Sequence, residues 1–227
     1  MHSRMGAIQV AACLLFCWHI SDAAAQNRLD TDMPPVDPQC QAFLDVIAAS
    51  GAPSWEEMGV TESRITFAAF DGVFGTGPTD VAARDVKIDG RIPIRVYRRR
   101  GEAEKPPVLV FFHGGGWVLG NLDTHDALCR RLCNQAQCVV VSVDYRLAPE
   151  HVFPAALDDC YQAVGYVASH GNELQIDPSR LIVAGDSAGG NLAAAVAIRA
   201  RNESAAKILA QVLIYPVLDR DCDSASY

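Results

Sequence analysis

The chain has 227 residues, of which 50% are hydrophobic and 20% charged. That is enough apolar content to bury a core, which excludes a disordered chain, and at about 150 residues per domain it suits one α/β domain or slightly more. The net charge is −8 and the longest basic run is Arg98-Arg99-Arg100; a nucleic-acid partner would need a basic face, and the acidic balance suits solubility more than an anionic membrane.

The N-terminus reads as a targeting segment. Arg4 lies in a short positive opening, Ala7 to Trp18 are apolar apart from Gln9, and Ala23-Ala24-Ala25 precede Gln26. This is the layout of a secretory signal peptide over residues 1–25, cleaved after Ala25. A membrane anchor would need about 20 apolar residues, and Val10-Ala11-Ala12-Cys13 resembles a lipoprotein box behind too short an apolar run. The expectation is a secreted or periplasmic protein without stable membrane insertion. Export permits disulfides among Cys40, Cys129, Cys133, Cys138, Cys160 and Cys222. Cys129 and Cys133 share a helix face in poor disulfide geometry, and most of the six are expected to be small buried hydrophobes. No Cys/His spacing suits zinc, so no metal is expected.

Residues 26–78 read as a proline-containing tail followed by helices. Phe43, Leu44, Ile47 and Ala48 give helical spacing over Gln39–Ala49, and a second helix is expected over about Thr61–Phe70. A Gly-rich break, Gly72–Pro78, closes this part. From residue 79 to 227 strands and helices alternate. Two short strands, Val81–Ile88 and Ile92–Tyr97, flank the turn signal Asp89-Gly90. Buried strands are expected at Val108–Phe112, Val139–Val143, Leu181–Ala184 and Val212–Tyr215, with helices at Asp123–Gln135, Ala155–Ser169 and Ser187–Arg201. Such alternation predicts an α/β fold with a mostly parallel sheet and helices on both faces.

The chemistry concentrates in two glycine motifs. Gly185-Asp186-Ser187-Ala188-Gly189 fits G-x-S-x-G between an apolar strand and a small-residue helix. That context is the nucleophile elbow, in which small residues let strand and helix approach and the Ser hydroxyl is held exposed above the sheet. His113-Gly114-Gly115-Gly116-Trp117 follows the strand Val108–Phe112. Consecutive glycines let backbone N–H groups line a cavity, as a tetrahedral oxyanion requires, and the N–H of Ala188 adds to them. A phosphate loop would need Gly-Lys-Ser/Thr, which is absent.

These motifs, together with Asp144-Tyr145-Arg146-Leu147-Ala148-Pro149-Glu150, make the chain resemble the hormone-sensitive-lipase-like family of α/β-hydrolase esterases from about Asp37 to Asp219. The resemblance implies Ser187 as nucleophile, with Gly115, Gly116 and Ala188 as oxyanion donors and Gly114 a weaker candidate. It further implies an N-terminal helical cap, and His113 and Asp186 as supports. It implies no cofactor, and a small-molecule ester, apolar on its acyl side, as the partner.

In one respect the sequence departs from that family, whose order is Ser…Asp/Glu…His. All six His, namely His2, His19, His113, His125, His151 and His170, precede Ser187. Asp219, Asp221 and Asp223 come too early for the triad acid. The expectation is a chain lacking the last strands and both triad partners, and hence inactive as given. A substitute base from His113 or His151 would have to reach the Ser hydroxyl. Tyr145-Arg146 and Asp158-Asp159 read as polar supports, and Asn202-Glu203-Ser204 as a glycosylation sequon in a loop-like position. Two functions remain: a serine carboxylesterase working through an acyl-enzyme, and a non-catalytic small-ligand-binding protein on the same scaffold.

Overall fold

A computed structural model describes residues 35–69, 75–101, 105–204 and 206–219. The signal-peptide segment, part of the Gly-rich break, Asp221, Cys222 and Asp223 lie outside the described residues. The chain divides into two compact units, one holding residues 64–217 and the other the described residues 35–63 and 218–219.

Helix α1 (Pro38–Ser50) starts where the Asp37 carboxylate accepts the Gln39 N–H at 2.8 Å, and ends at Gly51 with φ 61°. Helix α2 (Trp55–Ala69) is two helical segments joined at a kink; the first starts where Ser54 and Glu57 cap each other's backbone N–H groups at 2.9 and 3.3 Å. Gly59, at the non-helical φ 69° and ψ 172°, separates it from the second, which begins close to the expected Thr61 and runs to Ala69.

The unit 64–217 is built on a six-stranded sheet of order β1-β2-β4-β3-β5-β6. The strands are β1 (Val81–Ile88), β2 (Ile92–Arg99), β3 (Val108–Phe112), β4 (Val139–Val143), β5 (Leu181–Asp186) and β6 (Ala210–Ile214). β1–β2 and β2–β4 pair antiparallel; β4–β3, β3–β5 and β5–β6 pair parallel. The continuous apolar runs of β3 and β4 are buried throughout, as strands covered on both faces must be. Helix α3 (Asp126–Ala136) covers one face with Cys129 and Cys133 against Leu109, Phe111 and Val140. Helices α4 (Ala155–Ser169) and α5 (Ala188–Glu203) cover the other, packing Cys160, Val164, Leu192 and Val196 on Val110, Phe112, Val141 and Val183.

Three expectations are corrected. β6 is not a buried strand: among the described residues it pairs only with β5, and at that edge Val212 is 46% exposed. Helix α3 starts at Asp126 because the Asn121 side chain accepts the N–H groups of Asp123 and Thr124 at 2.9 and 3.0 Å, holding a turn there. The sequon lies in the last turn of α5 and its left-handed cap, Ser204 at φ 54°, and not in a loop.

Candidate active site

β3 and β5 run side by side with Phe112 opposite Gly185, so the loops leaving both strands emerge together. Ser187 joins β5 to α5 at φ 51° and ψ −118°, a conformation that costs a non-glycine residue energy. Its N–H donates to the Ile214 carbonyl at 2.9 Å, and its own carbonyl accepts the N–H groups of Asn191 at 3.1 Å and Val217 at 3.3 Å. The Asn191 side chain donates to the Val217 carbonyl at 2.8 Å. The strained residue is thus over-determined by the chain crossing after β6. Ser187 as a residue is 8% exposed, with Ile214 and Val217 hydrogen-bonded to its backbone. The side chain makes no cap bond to α5. The glycines are dictated by space, since a Cβ on Gly189 would lie 1.9 Å from the Phe112 carbonyl oxygen.

The second loop folds against the first. The Gly114 N–H donates to Asp186 Oδ1 at 2.9 Å, so this amide is already committed. Gly115 and Gly116 follow at φ 127° and 58°, and the Gly115 carbonyl accepts the N–H groups of Val118 and Leu119 at 3.0 and 2.7 Å. A Cβ on Gly115 would strike the Leu119 carbonyl oxygen at 2.1 Å. The motif is therefore a tight turn closed on itself and tied to the residue preceding Ser187.

Buried polar groups hold this turn. His113 is fully buried and stacks on Tyr145 at 4.3 Å, while the Tyr145 hydroxyl donates to the His113 carbonyl at 2.7 Å. Burial, with the nearby His125, pushes the His113 pKa down to about 3, so the ring is neutral. Its Nδ1 lies 2.8 Å from the Gly114 carbonyl, which can only accept; the proton therefore sits on Nδ1, and Nε2 is a buried lone pair with no hydrogen-bond partner. Burial pushes the Asp186 carboxyl up, but the contact with His125 and the Gly114 N–H outweigh it and hold its pKa below the ordinary value. Arg146 binds Asp159 through three contacts of 2.8 to 3.0 Å, and Arg199 pairs with Asp158 at 2.7 Å.

Some participants carried no signal in the sequence. Arg64, on α2, donates to the carbonyls of Val118 and Ala148 at 2.9 Å each, and both its terminal nitrogens reach Glu150 at 2.8 Å. That hydrogen bonding holds the Glu150 pKa at about 2. His125, Tyr215 and Asn191 were equally unmarked, being single polar residues outside any motif. Cys129, Cys133, Cys138 and Cys160 are buried, and burial raises the thiol pKa values of Cys129 and Cys160. Among the described residues no group of His, Cys, Asp and Glu is placed to hold a metal ion, and no helix is long and apolar enough to cross a membrane.

The family model described as alpha/beta hydrolase fold matches residues 109–227. The chain belongs to that family. Carboxylesterase NlhH of Mycobacterium tuberculosis is 40% identical over 210 residues, which cover 86% of this chain and 61% of that protein. An arylesterase of Saccharolobus solfataricus is 37% identical over 197 residues, covering 85% of this chain and 63% of its own length. Among solved structures, a thermostable esterase from Pseudomonas putida superposes with a TM-score of 0.80 at 34% identity, over 86% of this chain and 62% of that one. The hyperthermophilic esterase of Pyrobaculum calidifontis gives 0.74 at 43% identity, over 81% and 60%. The chain spans about three fifths of the length of these relatives. Within the α/β-hydrolase family it groups with the hormone-sensitive-lipase-like esterases, whose three motifs it carries in order.

Proposed function

We propose that the chain carries the nucleophile and oxyanion-stabilising part of a serine carboxylesterase acting on small apolar acyl esters. The observation that carries the reading is the strained Ser187 between β5 and α5, with the glycine turn fastened to the adjacent Asp186. In this reading the Ser187 hydroxyl oxygen attacks the ester carbonyl carbon and gives up its proton to a base. The carbonyl oxygen becomes an oxyanion, held by the N–H groups of Gly115, Gly116 and Ala188 at the positive end of α5. The tetrahedral species collapses, the alcohol leaves, and water later releases the acid from the acyl-serine. No His follows Ser187 in this sequence. His113 Nε2 has no hydrogen-bond partner and so does not hold the Ser187 hydroxyl, and the reading assigns no residue of this sequence as the base.

The test compares hydrolysis of a short-chain p-nitrophenyl ester by the chain and by Ser187→Ala. Catalysis by an oxyanion hole and binding alone, about 1,000- to 10,000-fold over water, does not require the serine; turnover beyond it, and its loss in the variant, is the part that depends on the acyl-enzyme. Mass spectrometry after fluorophosphonate treatment should place the adduct on Ser187. An adduct elsewhere, or labelling that survives in the variant, would remove Ser187 from the role.

A further inference from the structure

A buried histidine that the proposed chemistry does not use sits against the residue preceding the nucleophile. His125 lies in the loop entering α3 and is 8% exposed. Its Nε2 is 3.5 Å from Asp186 Oδ1, the same oxygen that accepts the Gly114 N–H at 2.9 Å. The other oxygen, Oδ2, accepts the Tyr215 hydroxyl at 3.3 Å. Three separate segments therefore meet on one buried carboxylate: the glycine turn, the loop before α3 and the crossing after β6.

The surroundings fix the role of the ring. A carboxylate can only accept, so the Nε2 contact requires a proton on Nε2. On its other side, Nδ1 is 2.9 Å from the Thr124 hydroxyl, which also lies 2.9 Å from the Asn121 carbonyl. The Thr124 hydroxyl can donate to Nδ1 when the ring is neutral, or to Asn121 while it accepts from Nδ1 when the ring is charged. Nε2 thus faces Asp186 as a donor in either state. The ring sits among Phe67, Phe111 and His113 at centroid distances of 6.3, 6.1 and 5.4 Å. Other ionisable groups near Asp186 are His113, neutral by burial, together with Tyr145, Tyr215 and Cys129. None of these supplies a positive charge, so the groups that favour an ionised Asp186 are the donors around it: the Gly114 N–H, the Tyr215 hydroxyl and His125 Nε2.

We propose that His125 is a positioning residue: it holds Asp186 as a buried carboxylate, and through it fixes the Gly114 amide and the turn carrying Gly115 and Gly116 beside Ser187. The proposal rests on the reading of that turn as the oxyanion loop. It gives the pair a consequence for chemistry, because a protonated Asp186 could keep only one strong acceptor, and the glycine turn would lose its charge-assisted anchor.

The test is NMR on the full chain, which reads the loop without relying on turnover. In the parent, nitrogen-15 shifts of His125 should show a proton on Nε2 at neutral pH; an Nδ1-only tautomer would overturn the proposal without any variant. His125→Phe keeps an aromatic ring at this place and removes the donor. There the pH at which the Gly114 amide peak titrates with Asp186 should rise by at least about one unit, a tenfold change in the proton equilibrium. His125→Gln, which restores a neutral donor, should fall between parent and His125→Phe, and serves if the latter does not fold. An unmoved Gly114 titration in the folded variants would overturn the proposal. Hydrolysis measured alongside should show kcat reduced roughly tenfold or more in His125→Phe with KM little changed, as for donors that act in the transition state. A shifted Gly114 titration with a fluorophosphonate adduct away from Ser187 would leave the anchor standing and remove the nucleophile assignment instead.

Discussion

The contact between β3 and the start of α5 can be tested by adding one methyl group. In Gly189→Ala the new Cβ would lie 1.9 Å from the Phe112 carbonyl oxygen and 2.6 Å from that of His113. Both obstacles are backbone atoms in a fully buried strand, so no side chain can rotate aside; strand and helix would have to part by roughly 1 Å to restore ordinary contact. Overpacking that side chains can absorb costs about 1–3 kcal/mol. This case should reach or exceed the top of that range, about 3–4 kcal/mol, and α5 would pull away from Ser187. The control is Gly165→Ala in the interior of α4, where a Cβ would meet nothing within 4 Å. There alanine should stabilise the protein by about 0.5–1 kcal/mol, because glycine loses more conformational freedom in a helix. Urea unfolding followed by circular dichroism gives both values under one protocol. If Gly189→Ala unfolds within 0.5 kcal/mol of the parent, or if both variants shift the same way, the close approach inferred here is wrong.

Other outcomes follow from the same contacts. Gly115→Ala, whose methyl would meet the Leu119 carbonyl oxygen at 2.1 Å, should cut kcat by about 100- to 1,000-fold, the usual loss of one oxyanion donor; steady-state kinetics showing only a raised KM would make the turn a binding element. Asp159→Asn should cost about 2 kcal/mol, because Asp159 is 3% exposed and accepts three contacts from Arg146; equal denaturation midpoints would reduce the pair to decoration. His113 stays neutral in the folded protein down to about pH 3, whereas an unfolded chain protonates it near 6.5. The unfolded state thus binds more protons in that window, and stability should fall on acidification by up to about 1.4 kcal/mol per pH unit from this group. Unfolding measured at pH 7.0, 6.0 and 5.0 should show that slope in the parent and a smaller one in His113→Phe.

The strands β3, β4 and β5 and the helices α4 and α5 are legible in the sequence because each carries a local periodic signal: an unbroken apolar run for a strand covered on both faces, a stripe for a helix covered on one. The two glycine motifs are legible for the same reason, since a sharp strand-to-helix turn admits few residues and Gly185, Ser187 and Gly189 stand within five positions. What holds those motifs is not local. Asp186 meets Gly114 across 72 positions, and Tyr215 reaches the same carboxylate across 29. Arg64 joins Val118 and Glu150 across 54 and 86. A lone His125 or Arg64 has no spacing from which a partner could be inferred; only the order of strands in the sheet brings them together. The exposure of β6 and the backbone bonds between Ser187 and residues 214 and 217 belong to the same class. Composition makes Val212-Leu213-Ile214 look like core, but burial depends on what lies alongside, and among the described residues the sheet places that strand at its edge.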